Sequence, residues 1–384
     1  MDPTTQTPLR SPRVSSLTGS AGESGPTGRA AERSAADGRV DVVCLGESMV
    51  TFRPSHPGRL ADVPSFHRGI GGAESNVACA LAALGHRVRW ISRVGTDGFG
   101  DHLVTAIAGY GVDTSAVGRD PARPTGIYFR TATDRATDAH EVVYYRRGSA
   151  ASAMSPGTMA YEEVTATRIL HVSGITAALS DDCRDLMRQL TERRPGRPLV
   201  SFDVNHRPKL WRDGSGPRTL LELARGADLV FVGEDEAEDA WDIHGVEAVR
   251  AALPEPETVV VKQGGRGATV FERAPGTGAD TVTFVPAPGV EVVAPVGAGD
   301  AFAAGYLSAH LGGADARERL RRGHLTAAAT LTVAEDLATP PPAALTDRLV
   351  ALDDGAWERL RLVPGWSAAS GIPPVGKEEE VRTP

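Results

Sequence analysis

The sequence predicts an α/β protein with a mainly parallel central sheet, helices on both faces of the sheet and a small β-sheet lid. From residue 169 to residue 262, short apolar strands alternate with helical patterns, an order that is typical of parallel sheets covered by helices. Two strand-like segments, 127–131 and 141–145, break this alternation, because a polar stretch and no helix joins them. A hairpin outside the alternating layers is a natural cover for a ligand crevice.

The composition limits the class of protein. The chain has 384 residues, of which 41% are hydrophobic and 23% charged, which is ordinary for a globular protein. A formal net charge of −8 without a basic stripe argues against nucleic-acid binding. No apolar run approaches the roughly 18 residues that span a membrane, and Cys44, Cys79 and Cys183 lack metal-type spacing. We therefore expect a cytoplasmic protein with neither nucleic acid nor a membrane as partner.

Two tails flank the predicted domain. Residues 1–39 are rich in Ser, Thr, Gly, Pro and Ala, and residues 367–384 end in a charged, proline-containing stretch. Neither tail contains enough large apolar residues to bury a core, so we expect both to be disordered. The prediction is a single domain over residues 40–366, with a lid built from about 47–70 and 123–147.

The first half of the domain contains the patterns of two strands and two helices. An apolar run starts at Val40, and Gly71-Gly72 leads into a helical pattern with apolar residues on one face. Between the first strand and this helix, prolines separate short segments that are predicted to be extended. Gly85 and Gly111 end the two helices. The predicted elements are the strand 40–46, the helix that follows 71–76, the strand 88–95 and the helix 101–110.

The second half of the domain alternates regularly. Its strands are rich in Val, Leu and Ile, and polar residues follow the carboxyl end of each strand. The predicted elements are the strand 169–174, the helix 181–194, the strand 199–204, the helix 219–225, the strand 228–232, the helix 234–243 and the strand 258–262.

A glycine loop at residues 296–300 (VGAGD) opens another helix. Apolar residues recur after it at helical spacing, and Gly312-Gly313 ends the helix. Gly297 and Gly299 permit a sharp turn, and the exposed N–H groups with the helix dipole form an anion site. Asp300 beside such a site fits a general base in phosphoryl transfer. The alternative is that Asp300 only caps the helix.

Several polar residues follow the carboxyl ends of predicted strands and should therefore lie in one crevice, an argument that we call the strand-end rule. In open α/β sheets, ligands bind beyond the carboxyl ends of the strands. The residues that fall on this side are Gly71, Gly72, Asn76, Asp203, Asn205, Arg207, Lys262, Gly264 and the 297–300 loop.

Two stretches in the correct order resemble the signatures of the PfkB (ribokinase-like) family of carbohydrate kinases. The first is GGAESNVA at 71–78 with VGTDGFG at 94–100, and the second is the 296–302 loop with AAG at 303–305. The resemblance covers about residues 40–352. It implies a ribokinase-like α/β domain with a β-sheet lid that uses ATP and Mg²⁺ to phosphorylate a sugar hydroxyl.

The resemblance also assigns roles to residues. It makes Asp300 the base, and it makes the N–H groups of Gly297, Ala298 and Gly299 the stabilisers of the transferred phosphoryl group. The KQGGRG turn resembles the family's nucleotide-side turn, so Lys262, Gly264 and Gly267, with Asn205, are assigned to the cofactor. The alternative is that the two glycines only turn the chain between strands.

The chain departs from the family pattern at two places. The family's Asn-x-x-Glu metal element appears as GEDE at 233–236, where only Glu236 matches, so Mg²⁺ ligation through water rests on Glu236. The alternative is that these acids are a solvated helix start. Ala294-Pro295 stand where the family often has Asp-Thr, which leaves dependence on a monovalent cation open.

Two further stretches resemble 2-keto-3-deoxygluconate kinases. They are DVNHRPKLW at 203–211 and YYRRGSAA at 144–151. A sugar-acid carboxylate is matched by guanidinium and phenol donors, so we assign it to Arg146, Arg207, Tyr128 and Tyr144. Gly71, Gly72 and Asn76 are assigned to the substrate hydroxyls. The alternatives are that the tyrosines pack across the hairpin and that Arg207 contacts ATP.

The best-supported function is therefore an ATP-dependent 2-keto-3-deoxygluconate kinase. A neutral-sugar kinase of the fructokinase or ribokinase kind is the near alternative, and a non-catalytic sugar or nucleotide sensor is a remote one. A Rossmann dehydrogenase is disfavoured, because no Gly-x-Gly-x-x-Gly follows the first strand. The family resemblance makes a homodimer or higher homo-oligomer through the lid an open possibility.

Overall fold

An eight-stranded sheet forms the centre of the computed structural model, which describes residues 39–131, 141–211, 213–274, 276 and 278–368. The predicted tails lie outside these residues except for Arg39, Ser367 and Ala368, and so does most of the hairpin connection. In chain order the strands are β1 (Val40–Leu45), β2 (Met49–Pro54), β3 (Phe66–Gly71), β4 (Val88–Ile91), β5 (Arg93–Gly95), β6 (Gly118–Asp120), β7 (Ile127–Arg130), β8 (Val142–Tyr145), β9 (Thr167–Ser173), β10 (Leu199–Asp203), β11 (Leu229–Gly233), β12 (Thr258–Lys262), β13 (Gly267–Arg273), β14 (Asp280–Pro286), β15 (Gly289–Val290) and β16 (Arg361–Leu362).

The α-helices cover both faces of this sheet. Within the described residues they are α1 (Ala73–Ala83), α2 (Gly98–Ala108), α3 (Tyr161–Thr165), α4 (Gly174–Ala177), α5 (Asp181–Thr191), α6 (Gly216–Gly226), α7 (Glu234–Trp241), α8 (Val246–Ala252), α9 (Ala298–Leu311), α10 (Ala316–Leu331), α11 (Ala343–Val350) and α12 (Asp354–Glu358). Most predicted helices and strands agree with these bounds to within three residues.

The central sheet has the order β14-β13-β12-β11-β10-β9-β1-β4. The strands from β12 to β4 pair in parallel, whereas β13 and β14 are antiparallel because a tight turn joins β12 directly to β13. Side chains alternate between the two faces. Val42 and Cys44 of β1 belong to the same buried cluster as Phe302 of α9, whereas Val43 and Leu45 belong to the cluster that contains Leu186 of α5. The mainly parallel sheet between two helical layers is thus as predicted.

A second, four-stranded sheet with the order β3-β2-β7-β8 has the predicted position of the lid. Strands β7 and β8 are the expected antiparallel hairpin, and β2 contributes a parallel pair to β7. The sequence showed only short extended pieces at 47–69, because β2 and β3 alternate poorly between buried and exposed residues.

The single strand predicted at 88–95 is wrong. The chain forms β4 at the edge of the central sheet, breaks at Ser92 and continues as β5, which pairs in parallel with β6. Arg93 of β5 donates a hydrogen bond of 3.1 Å to Asp120 of β6, which adds a side-chain contact to the pairing of these two strands. A continuous apolar run indicates extended chain, but it does not indicate which partner each part takes.

Candidate active site

A cavity of about 540 Å³ opens at the carboxyl ends of the central strands, beneath the lid. It lies where the strand-end rule places a ligand. The starts of α1 and α9, both glycine-rich, form one wall of the cavity, and lid strands form another. The predicted site residues that line it are Gly71, Gly72, Asn76, Tyr128, Tyr144, Arg146, Asn205, Arg207, Glu236, Lys262, Gly297, Gly299 and Asp300.

Asp300 lies in the first turn of α9 and faces Asn76 in α1. The Nδ2 atom of Asn76 donates a hydrogen bond of 2.8 Å to Oδ2 of Asp300. Burial raises the pKa of Asp300 to about 7; the Asn76 hydrogen bond opposes this shift, the Asp203 carboxylate adds to it, and Lys262 and Arg207 oppose it. The N-cap of the helix is Gly297, so Asp300 is not its capping residue. A carboxyl group with this pKa can exchange a proton near neutral pH.

The two glycines of the loop differ in how much space a side chain would have at each position. Gly297 has a left-handed backbone with φ of 79°, and a Cβ atom there would overlap the carbonyl oxygen of Asp336. A Cβ atom on Gly299 would meet nothing nearer than Nζ of Lys262 at 3.6 Å. The first N–H groups of a helix have no partner within the helix. The start of α9 and the Lys262 cation at the end of β12 therefore lie next to each other on the cavity wall.

Lys262 is paired with the buried carboxylate of Asp203. Its Nζ atom lies 3.0 and 3.2 Å from the two carboxylate oxygens. Burial alone would lower the pKa of Lys262, but the Asp203 and Glu236 carboxylates outweigh burial and raise it. Lys262 therefore stays positively charged behind the glycine loop.

Glu236 and Asn205 lie at the ends of neighbouring strands. Oε2 of Glu236 accepts a hydrogen bond of 2.7 Å from the Gly233 N–H, so this acid does stabilise its own helix start. Its Oε1 atom lies 3.6 Å from Nη1 of Arg207, and burial raises the pKa of Glu236. Asn205 has a left-handed backbone with φ of 40°, and its buried Oδ1 has no partner within the described residues.

The lid residues both pack together and line the cavity. Tyr128 and Tyr144 are directly opposed in the β7–β8 pairing, with ring centroids 5.3 Å apart, so the packing alternative is present as well. The Tyr128 hydroxyl donates to Asp336, whereas Tyr144 is 53% exposed. Nε of Arg146 donates a hydrogen bond of 2.7 Å to Glu47, which neutralises its charge.

Three of the assigned residues are not among the cavity-lining residues. Ala298 lies within the glycine loop, and Gly264 and Gly267 lie in the turn between β12 and β13. Both glycines of this turn have positive φ, 57° and 142°, and a Cβ atom on Gly267 would overlap a backbone oxygen of β14. Both glycines therefore suit the geometry of the turn, and contact of the turn with a nucleotide stays a prediction.

Sequence reasoning missed several polar residues of the cavity wall, which are Glu47, Arg53, Arg130, Thr131 and Asp336. Asp336 accepts hydrogen bonds from Tyr128 and Arg130 of β7, and its backbone packs on Gly297. Glu47 directly follows the first strand region, so the strand-end rule was a signal that could have found it. Asp336 lies in a loop after α10 that carries no recognisable pattern.

Comparison with known proteins gives consistent matches. Residues 39–342 match the profile of the pfkB family carbohydrate kinase. The 2-dehydro-3-deoxygluconokinase of Bacillus subtilis is 34% identical over 305 residues, which cover 78% of this chain and 92% of that protein. The crystal structure of a PfkB protein from Polaromonas sp. JS666 is 35% identical, with a TM-score of 0.67, over 75% of this chain and 95% of that chain. A sugar kinase of Pyrococcus horikoshii in complex with ATP is 26% identical, with a TM-score of 0.69, over 82% and 98%.

The fold is of the ribokinase-like α/β class, and the family match makes the chain a phosphotransferase. The chain belongs to the pfkB family of carbohydrate kinases. The predictions of family, fold class and kinase activity are thereby confirmed. Within the described part of the chain, no helix is both long and apolar enough to cross a membrane.

Proposed function

We propose that this enzyme transfers the γ-phosphoryl group of ATP to the terminal hydroxyl of 2-keto-3-deoxygluconate, with Asp300 as the general base. The observation that carries this proposal is the position of Asp300 beside the backbone of the 297–299 loop, on the wall of the cavity. Its pKa of about 7, raised by burial, suits a group that accepts a proton near neutral pH.

In the proposed step, Asp300 accepts the proton of the attacking sugar hydroxyl. The sugar oxygen forms a bond to the γ-phosphorus, the bond between that phosphorus and the bridging oxygen breaks, and ADP leaves with the electron pair. The N–H groups of Gly297, Ala298 and Gly299 stabilise the charge that develops on the transferred group. The Lys262 cation behind the loop adds to this stabilisation, because Nζ lies 3.6 Å from the Cβ position of Gly299.

The substrate class rests on the named relative and on the charges of the cavity. Arg146 is neutralised by Glu47, whereas the Arg207 side chain is 55% exposed and its nearest carboxylate, Glu236, lies 3.6 Å away. We assign the substrate carboxylate to Arg207 and to the hydroxyl of Tyr144, a residue that is half-exposed, with Arg146 as a neighbouring donor. Gly71, Gly72 and Asn76 are assigned to the sugar hydroxyls, since Oδ1 of Asn76 has no hydrogen-bond partner among the described residues.

The residues present fit a hydrated Mg²⁺ ion held mainly by nucleotide phosphates. Within the described ranges, no group of three or more His, Cys, Asp or Glu residues could hold a metal ion directly. Mg²⁺ commonly keeps several waters and takes one or two carboxylates plus phosphates. Glu236 and the unpartnered Oδ1 of Asn205 would hold its waters, and bound Mg²⁺ would neutralise phosphate charge. Lys262 and the Gly264–Gly267 turn are proposed to contact the nucleotide.

A substrate panel tests the proposed function. The purified enzyme, ATP and Mg²⁺ are assayed for ADP release with 2-keto-3-deoxygluconate, fructose and ribose at equal concentrations. We expect kcat/KM for the keto acid to exceed that for either neutral sugar by at least about tenfold, the worth of one charge-assisted contact. A preference for fructose or ribose would assign the enzyme to neutral sugars, and ADP release with none of the three would contradict the proposal.

Two further properties complete the proposal. Tyr145 follows Tyr144 on the last lid strand and is 63% exposed, and we propose that its face of the lid, opposite to Tyr144, joins two copies of the chain in a homodimer. Light scattering after gel filtration would show a monomer if this is wrong. A cytoplasmic location remains a prediction that fractionation of the host cell would test.

A further inference from the structure

Glu74 is a fully buried acid in the first turn of α1, two residues before Asn76. Its side chain does not line the cavity. Instead, Oε1 accepts three hydrogen bonds, at 3.1 Å from the Ser173 N–H, 2.8 Å from the Ser173 hydroxyl and 2.7 Å from the Thr176 hydroxyl. Oε2 is buried and has no partner within the described residues.

The backbone around Glu74 leaves space for this one side chain. Gly46 follows strand β1, and a Cβ atom there would overlap the carboxyl group of Glu74. The carboxyl group therefore lies against the end of β1 and bonds to the end of β9, two adjacent strands of the central sheet. The start of α1 is fixed to the rigid centre of the fold through this contact.

All three donors converge on one oxygen of the buried Glu74 carboxyl group. Burial raises the pKa of Glu74, and the bonds from Thr176 and Ser173 offset only part of the shift. A neutral carboxyl group is far less costly to bury than a charged one.

We propose that Glu74 is a positioning residue that fixes the first turn of α1 so that Asn76 stays within hydrogen-bond distance of Asp300. This inference rests on the proposed function only where it treats Asp300 as the base. The Asn76 hydrogen bond favours the charged form of Asp300. Loss of the anchor should therefore release Asn76 and raise the pKa of Asp300. The charged groups that face Asp300 from the neighbouring elements, Asp203, Lys262 and Arg207, stay in place.

The test measures the titration of the Asp300 carboxyl group directly. Protein labelled with ¹³C at the aspartate carboxyl carbons is titrated by NMR, and the Asp300 signal is assigned with Asp300→Asn. We expect Asn76→Ala to raise the titration midpoint by about one pH unit, the worth of a hydrogen bond to a charged group. Glu74→Ala should shift the midpoint in the same direction, and the double variant should shift it no further than Asn76→Ala alone. Even if Glu74 were charged, the loss of that charge would by itself lower the Asp300 midpoint, so an upward shift is specific to the lost contact.

Two variants control for general damage to the fold. Glu74→Gln keeps the acceptor oxygen and should restore the wild-type midpoint. Thr167→Val removes a buried hydroxyl at the opposite end of β9, which bonds to the Val40 carbonyl at 3.3 Å, and should lower stability without moving the midpoint. If Glu74→Ala does not fold, Thr176→Val removes one of the three donors and should give a smaller upward shift.

The inference is overturned if Glu74→Ala or, in its place, Thr176→Val leaves the midpoint unchanged. It is also overturned if Glu74→Gln fails to restore the midpoint, if the two single shifts add, or if Asn76→Ala produces none. Failure of the proposed function is seen separately, as full turnover by Asp300→Asn.

Discussion

Glu47 of the core and Arg146 of the lid form a buried ion pair, with Nε of Arg146 2.7 Å from Oε2 of Glu47. Their side chains are only 1% and 11% exposed. Ser149 donates a further hydrogen bond to the other carboxylate oxygen. The pair therefore connects the end of β8 to the loop after β1. It also keeps the Arg146 side chain on the cavity wall, which both residues line.

Substitution of Glu47 should damage both the fold and the substrate site. Glu47→Gln leaves the buried Arg146 charge without its counter-ion, and removal of one partner from a buried pair costs about 3–5 kcal/mol. We expect a lower free energy of unfolding in urea and a higher KM for the sugar acid. Arg89→Gln is the control and should cost much less, because it breaks a more exposed pair with Asp113 that does not line the cavity. Equal losses in the two variants would contradict a special role for the Glu47–Arg146 pair.

The glycine loop offers a matched pair of substitutions. Gly297→Ala forces a Cβ atom into the Asp336 carbonyl at a left-handed backbone position, so we expect a loss of about 1–3 kcal/mol of stability and little remaining activity. Gly299→Ala meets only Nζ of Lys262 at 3.6 Å and should melt close to the wild-type temperature. Thermal unfolding of both variants measures this difference, and a normal melting temperature for Gly297→Ala would show that the loop geometry is not required.

Substitutions of Lys262 and Asp203 should have non-additive effects on the free energy of unfolding. Lys262→Met leaves the Asp203 carboxylate, which is 2% exposed, without a cation, so we expect a loss of about 3–5 kcal/mol in the free energy of unfolding. Adding Asp203→Asn should recover a large part of that loss, because the unpaired charge is removed. Urea unfolding of the two single variants and the double variant gives the coupling, and additive losses would contradict it.

Asp300 should make stability depend on pH. Its pKa rises from 3.8 to about 7 on folding, so the folded chain binds a proton more tightly than the unfolded chain between these values. Stability contributed by this group is full below the lower value and is lost as the pH rises toward 7. Asp300→Asn should therefore be more stable than the wild type at pH 8, and the difference should vanish at pH 3.5. Urea midpoints at the two pH values measure it, and a difference of the opposite sign would show that burial does not raise the pKa.

Local sequence patterns were sufficient to predict much of the fold and the central residues of the candidate site. Apolar runs located the strands of the central sheet, and the rule that ligands bind beyond strand ends gathered Asn76, Lys262 and Asp300 at one edge of that sheet. Asp300 was identifiable because glycines, helical spacing and an acid occur together in seven residues. These features are short-range, so the sequence records them directly.

The remaining features depend on contacts between distant residues. Tyr128 and Asp336 are 208 residues apart in the chain, and nothing near either residue indicates that they meet. The same reason explains two other features that the sequence did not predict. These are the change of strand partner after Ser92 and the neutralisation of Arg146 by Glu47. Electrostatic partners decide what an arginine can bind, and a sequence pattern does not show whether its charge is already paired.

The most direct measurement is the turnover of Asp300→Asn with ATP, Mg²⁺ and the best substrate of the panel. We predict a fall in kcat of about 10²–10⁴-fold, the typical contribution of a general base, with unchanged nucleotide binding and a folded protein. Asp315→Asn is the control, because Asp315 caps α10 through a 2.8 Å bond to the Glu318 N–H and should retain full turnover. If Asp300→Asn instead turns over within about threefold of the wild type, Asp300 is not the base and the proposed mechanism is wrong.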